Sequence, residues 1–142
     1  MAKKKVKKIL ILDRKANRRD TLASRFRLQG FLVEIALEGF QALSILEEEL
    51  FDTFIIIGQT HDMPTFEVIT LTRGIFSKDE LQIIYLDPRP KEEDILDYSK
   101  IGMNHFLVWN EKVFAPLLSK IETFKPISNR KPSSLLDDFS NS

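Results

Sequence analysis

The chain has 142 residues, of which 43% are hydrophobic, and its 21 basic residues balance 21 acidic ones. That composition fits one domain with a core of its own, and the balanced charge argues against a dedicated nucleic-acid binder. Cysteine is absent, which excludes disulfides, thiolate zinc sites and thiol nucleophiles. No apolar run approaches the roughly 20 residues of a membrane span. After Lys3-Lys4-Lys5 the apolar segment Ile9 to Leu12 is too short for a signal-peptide core. A cytoplasmic protein is expected, with no membrane insertion and no nucleic acid.

Val6 to Leu12 reads as a first strand, followed by the loop Asp13-Arg14-Lys15. A helix is predicted from Lys15 or Asn17 to Gln29, with Leu22, Ala23 and Phe26 at inward spacing and Gly30 as its stop. Arg18 and Arg25 share a face of it, with Arg14 just before them. That face reads as solvated or as a contact for an acidic partner. Phe31 to Ala36 is a second strand, and Gln41 to Leu50 a second helix. Phe51 to Gly58, dense in β-branched and aromatic residues, is the expected central strand. After the loop Gln59 to Met63, Pro64 suits a helix start, and Phe66, Val68, Ile69, Leu71 and Ile75 give the third helix its apolar face.

Leu81 to Leu86 reads as a fourth strand and Asp87 to Pro90 as a stiff loop. Glu92 to Lys100 is a fourth helix, with three acids near its positive end. His105 to Trp109 is a fifth strand. Glu111 to Phe124 is the last helix, with Pro116 placed to kink its early turns. From Lys125 the composition shifts to proline, serine and asparagine. A domain over residues 1–125 is therefore expected, with a disordered tail over 126–142. Within that tail, Leu135-Leu136-Asp137-Asp138-Phe139 is either a frayed end or a docking peptide that orders on a partner.

Five strands alternating with five helices imply a parallel sheet covered on both faces. Ligand sites in such sheets lie beyond the carboxyl ends of the strands. The loops at Asp13-Arg14, Ile57-Gly58, Asp87-Pro88 and Trp109-Asn110 therefore matter. Through these loops and the segments KILILDRKANRRDTLASRFRLQGF, ALEGFQALSILEEELFD and IGMNHFLVWN, the chain resembles a bacterial response-regulator receiver domain (CheY-like) over roughly residues 7 to 124. The resemblance implies a flavodoxin-like α/β fold: a five-stranded parallel sheet in the order 2-1-3-4-5 with five helices on both faces.

The site pattern departs from that family. In such receivers two adjacent acids after the first strand hold magnesium; here Asp13 is followed by Arg14. The phosphoacceptor aspartate aligns with Ile57, the Ser/Thr of the fourth strand with Asp87, and the lysine-proline of the fifth with Trp109-Asn110. Phe106 takes the place of the aromatic switch residue. An acyl phosphate needs a carboxylate nucleophile, a divalent cation and donors to the phosphoryl oxygens. Ile57 has no nucleophilic atom, and Arg14 opposes a cation. A degenerate pseudo-receiver site is expected at Asp13, Arg14, Ile57, Asp87 and Trp109, with no phosphoacceptor, catalytic residue, metal or cofactor. Arg14 is expected to bridge Asp13 and Asp87 as a tethered guanidinium, or else to point with Asp87 into water. Of the two histidines, His105 reads as structural, and His61 lies near the site beside Asp62.

The expected function is that of a phosphorylation-independent adaptor in a bacterial signalling pathway, not an enzyme. If the family's output surface carries over, the fourth helix, fifth strand and fifth helix meet a protein partner or a second copy. Asp94, Tyr98, Phe106, Val108, Trp109 and Phe114 are then its contacts, Tyr98 and Trp109 foremost. The rivals are a small-molecule sensor in the remodelled crevice, a receiver phosphorylated at Asp13, Asp62 or Asp87, and a nucleic-acid or membrane contact through Lys3–Lys8 and the arginines of the first helix.

Overall fold

The computed structural model describes residues 6–127 and 130. Strands and helices alternate: β1 (Lys8–Leu12), α1 (Ala16–Leu28), β2 (Leu32–Ala36), α2 (Gly39–Glu48), β3 (Thr53–Ile57), α3 (Thr65–Ile75), β4 (Gln82–Asp87), α4 (Glu92–Lys100), β5 (His105–Val108) and α5 (Phe114–Thr123). All four strand pairings are parallel, and the sheet order is β2-β1-β3-β4-β5. This is the flavodoxin-like arrangement. β3 holds the centre and every one of its residues is buried.

The period-2 alternation of a strand splits this apolar run between two cores. Phe54 and Ile56 point to one face, where they pack with Val68, Ile69 and Leu46 under α2, α3 and α4. Ile55 and Ile57 point to the other, with Leu22, Phe26, Leu117 and Ile121 of α1 and α5. Burying each such side chain stabilises the fold by roughly 1.5–3 kcal/mol. β1 pairs with β2 on one side and β3 on the other. The connection after β1 leads to β2 and the one after β3 leads to β4 on the opposite side, which opens a crevice beyond the carboxyl ends of β1 and β3.

Two helix starts differ from the sequence expectation. α2 begins at Gly39, not Gln41, because Asp62 caps it from a distant loop: its Oδ1 and Oδ2 accept the N–H groups of Gly39 (2.9 Å) and Phe40 (2.8 Å). α5 begins at Phe114, not Glu111. The Asn110 side chain accepts the N–H of Lys112 at 2.8 Å and holds 110–112 in a turn. Pro116 is thus the third helical residue, where the missing N–H has no intrahelical partner to lose, and the reason for a kink disappears.

Contacts with the sheet ends continue past residue 125. Lys7 Nζ donates to the carbonyls of Ile121, Glu122 and Phe124 at 2.7–2.8 Å, closing the α5 C-terminus. The Ile127 N–H then donates to the Asp79 carbonyl at 3.0 Å. Arg130 donates to the carbonyls of Phe51 and Glu80 and pairs with Asp52 at 3.2 Å. Arg130 thus rests on the amino ends of β3 and β4. Lys3–Lys5 and Leu135–Phe139 lie outside the described residues.

Candidate functional site

The crevice beyond β1, β3 and β4 is a cleft of about 260 Å³ whose walls include Asp13, Arg14, Arg18, Ile57 and Asp87. Asp13 follows β1 directly and is 1% exposed. Its carboxylate is gripped by a fork: Arg18 Nε donates to Oδ2 at 2.6 Å and Nη2 to Oδ1 at 2.8 Å. The Lys15 N–H adds a third bond at 2.9 Å. A buried carboxylate needs a counter-charge, and a bidentate guanidinium supplies charge and geometry together. Ile57 closes β3 at 2% exposure, with its side chain in the α1–α5 core. Gly58 next to it takes a left-handed φ of 72°, which favours glycine, and turns the chain out of the sheet.

The guanidinium on Asp13 is thus Arg18, not the expected Arg14. Arg14 Nη1 instead lies 3.1 Å from His61 Nδ1 on the exposed rim. The reason is helix register: Arg18 sits in the first turn of α1, which brings it back over the strand end, whereas Arg14 precedes the helix. Asp87 is not bridged by an arginine either. Its Oδ2 accepts the Tyr85 hydroxyl at 2.6 Å, and its Oδ1 accepts the Arg89 N–H at 2.8 Å. Trp109 is no wall of this cleft; its ring stacks on Arg18, 5.6 Å from the guanidinium carbon.

Asp87 belongs to a polar cluster. Gln59 Nε2 donates to the hydroxyls of Tyr85 (3.1 Å) and Tyr98 (2.9 Å). The two tyrosine rings meet edge to face at 5.1 Å. Burial, then the bond to Asp87, pushes the Tyr85 hydroxyl far above its ordinary pKa, and burial raises Tyr98 as well. Both stay neutral: the Tyr85 hydroxyl donates to Asp87, and the Tyr98 hydroxyl accepts from Gln59. The cluster links the ends of β3 and β4 to α4. Tyr85 and Asp87 stand two apart on one strand and so share a side, a signal present in the sequence and missed. Arg18 left a fainter one, since only the helix start decides which arginine returns to Asp13.

The three aspartates near the site are all engaged. Burial alone would raise the Asp62 carboxyl, but the N–H groups of Phe40 and Gly39 outweigh it and hold it below its ordinary value. Among the described residues, no group of three or more His, Asp or Glu side chains is set to hold a metal ion. No helix among them is long and apolar enough to cross a membrane. His105 stands away from the cleft on β5, where burial, Lys120 and Lys78 lower its pKa.

No protein-family model matches the chain. An uncharacterized 14.6 kDa protein of Leptolyngbya boryana, from the sodA1 3' region, is 30% identical over 99 residues, covering 70% of this chain and 76% of that protein. The chain belongs to the family of that protein. Among solved structures, a CheY-like receiver domain of Methanospirillum hungatei superposes with a TM-score of 0.74 at 19% identity, over 83% of this chain and 95% of that one. CheY4 of Vibrio cholerae gives 0.74 at 22%, over 82% and 99%. TrrA of Thermotoga maritima, in complex with Mg(2+)-BeF, gives 0.73 at 23%, over 84% and 100%. These likenesses establish the receiver fold.

On that receiver fold the six expected partner contacts do not form one open patch. Tyr98 is 3% exposed and is part of the polar cluster, so it is not available at the surface. Asp94 is half-buried rather than exposed. Phe106 packs beside Tyr85 at 6.3 Å, while Trp109 and Phe114 face α1. Val108, 44% exposed, is the open apolar position of β5. The arginine face of α1 is dispersed too. Arg18 holds Asp13, Arg19 pairs with Asp20 at 2.9 Å, and Arg25 stacks on the Phe114 ring at 3.8 Å.

Proposed function

We propose that the chain is a phosphorylation-independent pseudo-receiver, a cytoplasmic protein-interaction module of a bacterial signalling pathway. The observation that carries this reading is the Asp13–Arg18 pair beside Ile57. A receiver takes a phosphoryl group onto a carboxylate, with a divalent cation to neutralise the developing charge. Here hydrocarbon stands at the acceptor position. The carboxylate that would help hold the cation already carries a fixed guanidinium, and Asp87 places an acceptor where a donor to the phosphoryl group is needed. The Gln59–Tyr85–Tyr98 cluster holds α4 against the sheet without any such event. One signalling state is therefore built in, and the output is contact with a protein or a second copy through α4, β5 and α5. The small-molecule reading has less support, because the cleft is smaller than the roughly 300–1,000 Å³ of ordinary ligand pockets.

Capture of partners on immobilised full-length protein tests the reading. The same partner should be retained with and without acetyl phosphate and magnesium. Val108→Asp, which puts a charge in the open apolar position of β5, should weaken retention at least about tenfold at unchanged thermal stability. Retention that needs the phosphodonor, or that ignores Val108→Asp, counts against it.

A further inference from the structure

Between α1 and the start of α5 lies a groove of about 390 Å³ whose walls include Leu22, Trp109, Val113 and Phe114. It shares no lining residue with the cleft at Asp13. Unlike that cleft, it falls within the roughly 300–1,000 Å³ of ordinary ligand pockets. Two charges of opposite sign line it, Arg25 from α1 and Glu111 from the turn before α5. Among the described residues they form no ion pair with each other or with any third group.

The walls are set by packing. Leu22 and Val113 are buried in the core under α1 and α5. The Phe114 ring leans on Phe26 at 5.1 Å and carries the Arg25 guanidinium 3.8 Å from its centroid. A guanidinium over a ring keeps its in-plane N–H groups for an acceptor. Trp109 is steadied by Arg18, whose guanidinium carbon is 5.6 Å from the ring centroid. The groove therefore offers an aromatic floor, one cation and one anion. A ligand that brought only a carboxylate would answer Arg25 and set a like charge near Glu111. One that brought only an amine would do the reverse. An apolar body bearing both groups answers both charges and covers the floor as well.

We propose that the α1–α5 groove binds a zwitterionic amino acid with an aromatic or large aliphatic side chain. Its carboxylate is taken by Arg25, its ammonium by Glu111, and its side chain lies against Trp109 and Phe114. Binding there needs nothing from the Asp13 cleft and does not depend on the pseudo-receiver reading.

Trp109 is the sole tryptophan of the chain, so its fluorescence reports the groove directly. In full-length protein, L-phenylalanine and L-leucine should each shift the emission saturably in the millimolar range or below. Phenethylamine lacks the carboxylate and hydrocinnamate lacks the ammonium. Each should bind at least about tenfold more weakly than L-phenylalanine, for one lost charge-assisted contact. Arg25→Gln should weaken L-phenylalanine by a similar factor and leave phenethylamine unchanged. Glu111→Gln should weaken L-phenylalanine and leave hydrocinnamate unchanged. The analogue series on the unaltered chain decides the matter even where a variant fails to fold. No saturable shift with either amino acid would overturn the proposal, and so would equal affinity for the two analogues. Emission that shifts with protein concentration alone would assign the groove to a second copy and overturn it equally.

Discussion

Asp13 keeps its charge in a buried place because Arg18 reaches it with two parallel hydrogen bonds. Arg18→Ala would strand that carboxylate, so a loss of about 3–5 kcal/mol is expected in urea unfolding. Replacing both partners by apolar residues, as in Asp13→Leu with Arg18→Met, should recover most of the loss, since no charge is then left unpaired. Asp62 adds a pH signature. Its folded pKa lies below the ordinary 3.8, so its contribution is complete above that value and disappears as the pH falls through the folded pKa. Asp62→Ala should cost about 1 kcal/mol at neutral pH as a lost helix cap. It should also make the urea midpoint fall less steeply than in the wild type as the pH drops below 3.8. At this scale the sequence was half legible. Asp13, Ile57 and Asp87 lie at the cleft where strand ends place them. The choice of Arg18 over Arg14, and of Tyr85 as the partner of Asp87, depended on directions that only the folded backbone defines.

The elements themselves were read more easily, for a physical reason. A strand buried on both faces must be a nearly continuous apolar run, and FIII in β3 or QIIYL in β4 admits few other readings. What escaped were ends decided from far away in the chain. Asp62 starts α2, Asn110 delays α5, and Lys7 closes α5. Arg130 is the clearest case, because its proline- and serine-rich surroundings read as disorder while its guanidinium fills the space between Phe51, Glu80 and Asp52. Arg130→Ala should therefore destabilise the domain by about 1–3 kcal/mol, because buried acceptors lose their donor. A chain ending at Lys125 should unfold at a similarly lowered denaturant midpoint, and one ending just after Arg130 should match the full chain. Equal midpoints for all three would mean that the anchor contributes nothing.

For the molecule as a whole, the receiver sheet keeps its order and its crevice while the contents of the crevice change. At the end of β1 the buried Asp13 is paired to the Arg18 guanidinium. At the end of β3 stands a buried branched hydrocarbon, Ile57. Fixed hydrogen bonds between Gln59, Tyr85 and Tyr98 tie α4 to the ends of β3 and β4. On the α4–β5–α5 face Tyr98 is taken up inside and Val108 remains open. Intact-mass spectrometry of the full chain after incubation with acetyl phosphate and magnesium tests this account most directly. The expected result is no gain of a phosphoryl group and no hydroxylamine-labile adduct at Asp13, Asp62 or Asp87; a labile acyl phosphate on any of them would contradict it.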